Sequence, residues 1–167
     1  MRTVHRTLDA VVLAVTVPLM VLMLGCVVWQ VVARYALNVS TSMTDEIARF
    51  TFIWVSLLGA AYVLGKRGHI AITGLVDMLP KGSRRGVELA IQALVAVFAA
   101  AVLAGGGWLL VERAWRLGQV TPALQVPVWV VYAAIPLSGV LTLVYAVVAI
   151  VETLRGEAVE HHAVSLD

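Results

Sequence analysis

Charge is scarce in this chain. Of its 167 residues, 13% are Asp, Glu, Lys or Arg, 61% are hydrophobic, and the mean hydropathy is +0.95. A water-soluble domain carries about a quarter charged residues, so the shortage excludes that class. The scarcity is also uneven, because Ala10–Ala33 and Leu89–Val111 hold no charged residue at all. Apolar residues therefore come in unbroken runs and not as periodic faces, the mark of a chain solvated by hydrocarbon.

Other absences narrow the chemistry. The single cysteine, Cys26, lies inside an apolar run, which excludes an intramolecular disulfide and leaves the thiol as a small hydrophobe. His5, His69, His161 and His162 all fall outside the runs, so no haem can be held by histidine pairs within spans. Ser56 and Ser138 lie in spans, but no histidine can join them as an intramembrane protease requires. No cluster of carboxylates or cysteines offers a metal site. No carboxylate lies mid-span, where a small proton-coupled antiporter would need one. Neither an enzyme nor a cofactor is expected. The formal charge of +2 and pI near 9.0 do not point to nucleic acid, because Arg and Lys sit in short loops beside the runs, where topology signals sit.

What remains predicts an all-α integral membrane protein with four transmembrane helices and a short interfacial amphipathic helix. The spans are expected at about 8–33, 45–65, 89–111 and 127–151, within one membrane domain covering 1–155. Arg2, Arg6 and the tripeptide Leu24-Gly25-Cys26 resemble a cleavable leader. The run continues past Cys26 through Trp29 to Val32, which argues for an uncleaved first span. Pro127 is expected at the first helical position of the fourth span, where a missing N–H costs nothing. Pro18 and Pro136 fall inside spans and should kink them.

Between spans two and three, His69, Thr73 and Asp77 recur every four residues, a polar stripe on a largely apolar segment of about 69–80. Lys66 and Arg67 precede it, and Lys81, Arg84 and Arg85 follow. Such a helix is too short to span and is expected to lie along the interface, its basic flanks on lipid phosphates. The 156–167 tail has no apolar face and reads as a flexible cytoplasmic tail. Eight Lys and Arg lie on the side shared by both termini and the middle loop, against four on the other side. That bias predicts both termini in the cytoplasm.

The remaining charges cluster at span edges. Arg34 ends span one, and Asp45, Glu46 and Arg49 open span two. Either acid can reach Arg49 at helical spacing. The cluster serves to pin the helix in depth, to contact another membrane subunit, or to hold a substrate or ion. Trp29, Tyr35, Trp54, Tyr62, Trp108, Trp115, Trp129, Tyr132 and Tyr145 lie mostly toward span ends, as interfacial aromatic belts do. Gly59-Ala60-Ala61 and Gly105-Gly106-Gly107 allow close helix contact.

The order of these features resembles a known family. Arg34-Tyr35, Asn38, Asp45-Glu46-Ile47-Ala48-Arg49, Phe52-Ile53-Trp54, Leu58-Gly59-Ala60-Ala61, Arg67-Gly68-His69-Ile70, Asp77 and Leu79-Pro80 run through the first half. Thr121-Pro122-Ala123-Leu124, Val126-Pro127, Trp129, Tyr132, Pro136 and Gly139 follow in the second. The set, over about residues 5–155, resembles the small membrane (Q) subunit of tripartite ATP-independent periplasmic (TRAP) transporters. One departure is Ser42-Met43-Thr44, where the family often has a tryptophan.

The resemblance implies a multi-pass protein of the bacterial inner membrane, partnered by a large TRAP membrane subunit and a periplasmic solute-binding protein. It implies sodium-coupled import of organic acids, with substrate and sodium sites in the large subunit. The small subunit would brace its scaffold and help dock the binding protein. Carried over by position, Arg34 and the Glu46–Arg49 pair would serve the periplasmic-side contacts. His69 and Asp77 would face the large subunit or lipid headgroups. The alternatives are a stand-alone oligomeric small transporter and an assembly subunit of another membrane complex.

Overall fold

The computed structural model describes residues 2–67 and 84–155, with side chains for 8–65 and 86–154. The interfacial segment 69–80, with His69 and Asp77, and the 156–167 tail lie outside the described residues. The helices are α1 (Arg2–Val32), α2 (Ser42–Arg67), α3 (Arg84–Phe98), α4 (Gly107–Arg116), α5 (Val128–Tyr132) and α6 (Ala134–Arg155). A π turn, Ala33–Leu37, extends α1, and a π segment, Ala99–Gly106, joins α3 to α4. The four stretches long and apolar enough to cross a bilayer are Leu8–Leu37, Ser42–Gly65, Gly86–Arg116 and Val128–Leu154.

Most of these stretches run beyond the uncharged runs in the sequence. Hydropathy marks what hydrocarbon covers, whereas backbone hydrogen bonding continues to the cap. Span one ends at Asn38, whose φ of 51° puts it in the left-handed region, with its N–H returned to the Ala33 carbonyl.

The prolines act differently from one another. Helix α1 runs unbroken through Pro18. Pro127 precedes the first helical residue: with ψ of 127° it is the extended N-cap of α5, bridged to Val120. Pro136 does not merely bend span four, which divides at Ala133 into α5 and α6. Without an N–H, Pro136 cannot donate to the Tyr132 carbonyl, and the helix restarts there.

The spans form an open row. Span one packs on span two, span two on span four, and span four on span three, while among the described residues spans one and three share no substantial contact. On span one, Val12, Thr16, Leu19, Met23, Cys26 and Gln30 are covered, at alternating spacings of four and three. This is the seam of left-handed helix packing. The rest of the span from Ala10 to Val32 is exposed apart from these positions.

Glycines set the closest approaches between spans three and four. A Cβ on Gly139 would lie 2.6 Å from the Ala104 nitrogen, and one on Gly107 would lie 2.9 Å from Ile135 and Pro136. Gly65 presses on the Tyr145 ring, where a Cβ would sit 2.5 Å from Cδ1. In the Gly59-Ala60-Ala61 triplet it is Ala61 that is buried, at 1% exposure, and Gly59 faces open space. Without a hydrophobic driving force in lipid, such backbone proximity is what holds membrane helices together.

Candidate functional site

The long-range polar contacts among the described residues lie toward the two ends of the helices. At the Arg34 end, α2 begins after Ser40 and Thr41, and its first turn carries Asp45 and Glu46. The two acids part company. The Asp45 carboxylate accepts a hydrogen bond from Arg49 Nη2 at 3.1 Å, and the pair is exposed, at 68% for the Arg49 side chain and 53% for Asp45. The direct pair expected between Glu46 and Arg49 is not formed. Glu46 is buried, at 8% exposure, and turns to its own chain.

There it holds the loop between α4 and α5. The Ala123 N–H donates to Glu46 Oε1 at 3.1 Å and the Leu124 N–H to Oε2 at 2.8 Å. The Thr121 hydroxyl accepts a hydrogen bond from the Val126 N–H at 3.2 Å within the loop. The loop is tied internally as well: Thr121 N–H donates to Val126 O, Gln125 N–H to Thr121 O, and Val128 N–H to Gln119 O, all within 3.1 Å. Gln125 and Gly118 take positive φ values of 56° and 57°, which let the chain reverse so tightly. A carboxylate accepting two consecutive backbone donors behaves as an anion in a nest. Because the bonds are charge-assisted, they are among the stronger contacts in the chain. Beside the loop, Trp115 and Trp129 stack at 5.0 Å between centroids with planes tilted 57°.

Arg34 lies in the π turn at the end of span one. The structure thus brings Glu46 to the 121–126 loop and Asp45 to Arg49, and it leaves Arg34 exposed at the same end.

At the opposite end are pairings that the sequence did not announce, one of them through Tyr145, expected in an aromatic belt. The Tyr145 hydroxyl donates to Asp9 Oδ1 at 2.9 Å, joining span four to span one across 136 positions, and Tyr145 is only 3% exposed. Tyr145 therefore belongs to the interior and not to an aromatic belt. A tyrosine within an apolar run, whose hydroxyl needs a partner, and an acid at a run's edge were the available signals. Neither identifies the other. Gln92 and Thr153, both buried, join spans three and four: Gln92 Nε2 donates to Thr153 Oγ1 at 3.3 Å, and Gln92 Oε1 is left unpaired.

Among the described residues, no three His, Cys, Asp or Glu come together as a metal site. Among the described residues charge is confined to the ends of the spans and apolar residues dominate between them, so the class is a multi-pass membrane protein built for packing and edge contacts. The family is settled by comparison. The family described as tripartite ATP-independent periplasmic transporters, DctQ component, matches residues 23–156, and the chain belongs to it.

Among its relatives, the ectoine TRAP transporter small permease protein TeaB of Halomonas elongata is 29% identical over 143 residues, 84% of this chain and 70% of the relative. The sialic acid TRAP transporter small permease protein SiaQ of Vibrio cholerae is 33% identical over 92 residues, 55% of this chain and 53% of the relative. The isethionate TRAP transporter permease protein DctMQ of Oleidesulfovibrio alaskensis is 31% identical over 98 residues, 57% of this chain but only 15% of the relative. The chain is therefore a transporter subunit of the inner membrane and not an enzyme. In that relative the matching segment is a small part of a much longer permease protein.

Proposed function

We propose that this protein is the small permease subunit of a sodium-coupled TRAP transporter for organic acids. In this reading it braces the immobile scaffold of the large subunit and helps dock the periplasmic binding protein. Both termini lie in the cytoplasm, as the excess of Lys and Arg on their side favours. The Arg34 end with its latched loop then faces the periplasm, and the Asp9–Tyr145 end faces the cytoplasm. Arg34, Glu46 and Arg49 serve the periplasmic contacts, Glu46 by holding the 121–126 loop in shape. His69 and Asp77 serve the large subunit or headgroups along the cytoplasmic interface.

The observation that carries the reading is the open row. Four spans that cover one another so incompletely present broad apolar faces, and a scaffold brace needs such faces. A substrate path needs polar groups at mid-membrane depth, and the described mid-span residues are almost all apolar. The names of the relatives span sialic acid, ectoine and isethionate. Specificity is accordingly assigned to the partner chains.

Co-expression with the large permease subunit of the same system tests this. A one-to-one complex in detergent, with sodium-dependent uptake in vesicles only when both subunits and the binding protein are present, is the expected result. Uptake by this chain alone, or full uptake without it, would overturn the proposal.

A further inference from the structure

Span two over its middle turns, and span four along its length, each leave one narrow stripe uncovered, and the stripes differ in kind. Between Thr44 and Tyr62 the exposed residues are Asp45, Arg49, Phe52, Ser56 and Ala60. At 3.6 residues per turn they fall within about 80° of the helix circumference, a single line down α2. Between Val128 and Leu154 the exposed residues are Leu137, Val140, Val147 and Leu154, within about 100°. The second set is pure branched aliphatic, the composition that lipid tails solvate. The first set begins with an exposed ion pair and Phe52. It continues about 10 Å deeper to a serine hydroxyl that has no hydrogen-bond partner among the described residues.

The outer spans sharpen the contrast. Their exposed positions from Ala10 to Val32 and from Ala90 to Leu110 include no hydroxyl, carboxamide or charged side chain. Span two, the least apolar of the four, is the one that turns polar groups outward at membrane depth. A hydroxyl facing hydrocarbon gains nothing there, whereas one facing a protein helix can hydrogen-bond across the contact. Ser56 and Ala60, one turn apart below the bulk of Phe52, also leave room for a second backbone to approach.

We infer that the Asp45–Arg49–Phe52–Ser56–Ala60 stripe is the seam on which a transmembrane helix of the large permease subunit packs, and that the span-four stripe faces lipid. The inference rests on the proposed function for its occupant and adds which face of the row is covered. The Arg49–Asp45 pair lies at the outer edge of this seam, where a partner side chain can share it without crossing the bilayer.

The test uses the full chain co-expressed with the large permease subunit, carrying a photo-crosslinking phenylalanine analogue at position 52, 56, 140 or 147. Crosslinks to the large subunit from 52 and 56, and none from 140 or 147, are expected. Ser56→Trp is expected to cut recovery of the large subunit by about tenfold or more, and Val140→Trp by less than about twofold, both chains eluting alone as the wild type does. Crosslinks to the large subunit from 140 or 147 would overturn the inference. So would a product of twice this chain's mass, which would make a second copy the occupant, or no product from 52 and 56, which would make it lipid. If the wild-type pair fails to co-purify, the proposed function fails first; if it co-purifies and the pattern is reversed, only the seam fails.

Discussion

Spans two and four occupy equivalent places in the row, each between two neighbours, yet they meet their surroundings differently. Span four buries a polar set on its covered side, including Ser138, Thr142 and Thr153, and shows only Leu and Val outward. Span two buries Glu46 and Thr51 and also shows Asp45, Arg49 and Ser56 outward. Buried hydroxyls in both spans turn back on their own helix: Thr51 donates to Ile47 O at 2.7 Å, Ser138 to Ile135 O at 2.8 Å and Thr153 to Ala149 O at 3.0 Å. Polar content by itself therefore does not mark a contact face. What distinguishes span two is polar content on the side its own chain leaves uncovered.

The comparison can be broken most forcefully on the covered side of span four. Gly139→Leu would drive a side chain into the backbone of the π segment, where even a Cβ meets Ala104 N at 2.6 Å. Overpacking costs about 1–3 kcal/mol when side chains can yield, and more against backbone. Loss of the monodisperse peak in size-exclusion chromatography is expected, while Gly59→Leu, with open space around it, elutes unchanged.

Next in size is Glu46→Gln. An amide keeps one acceptor oxygen and loses the charge, so the Ala123 and Leu124 amides are held less firmly. Their hydrogen exchange is expected to accelerate by about tenfold or more, and co-purification with the large subunit to weaken. Unchanged exchange at both amides would show that the loop keeps its shape without the latch.

Tyr145→Phe removes one buried hydrogen bond to Asp9 and little volume. About 1 kcal/mol is expected, read as a melting temperature lower by about 2–4 °C. The smallest effect on the isolated chain is Arg49→Ala. An exposed ion pair contributes about 0–1 kcal/mol, so stability alone should barely move. Recovery of the large subunit should still fall, because this change alters the outward stripe of span two. An equal loss from Leu137→Ala, on the other stripe, would erase the distinction between the two faces.

Much of the architecture was legible before any coordinates. Four uncharged runs must cross the membrane because a chain in hydrocarbon satisfies its backbone by helix formation, and the helices lie on those runs. The left-handed residue at 38 was not located, and at Pro136 a kink was expected where the helix divides in two; both outcomes depend on where hydrogen bonds end and not on hydropathy. The site was half legible. The cluster at 34–49 stood out as charge at a span edge, but spacing allowed either acid to take Arg49. The choice was made by the loop, whose Ala123 and Leu124 amides lie 77 and 78 residues from Glu46. The Asp9–Tyr145 pairing escaped notice for the same reason, its partners lying 136 residues apart in the sequence.

The sequence by itself determined the solvent, the number of spans, the family and the absence of charge from the middle of each span. These follow from composition along a line, because the bilayer reads each segment separately. Only the tertiary structure decided the order of spans in the row, the partner of Glu46, and which outward stripe carries polar groups. Those depend on which helix covers which face, and coverage is fixed by glycine contacts and long-range hydrogen bonds that no local pattern encodes.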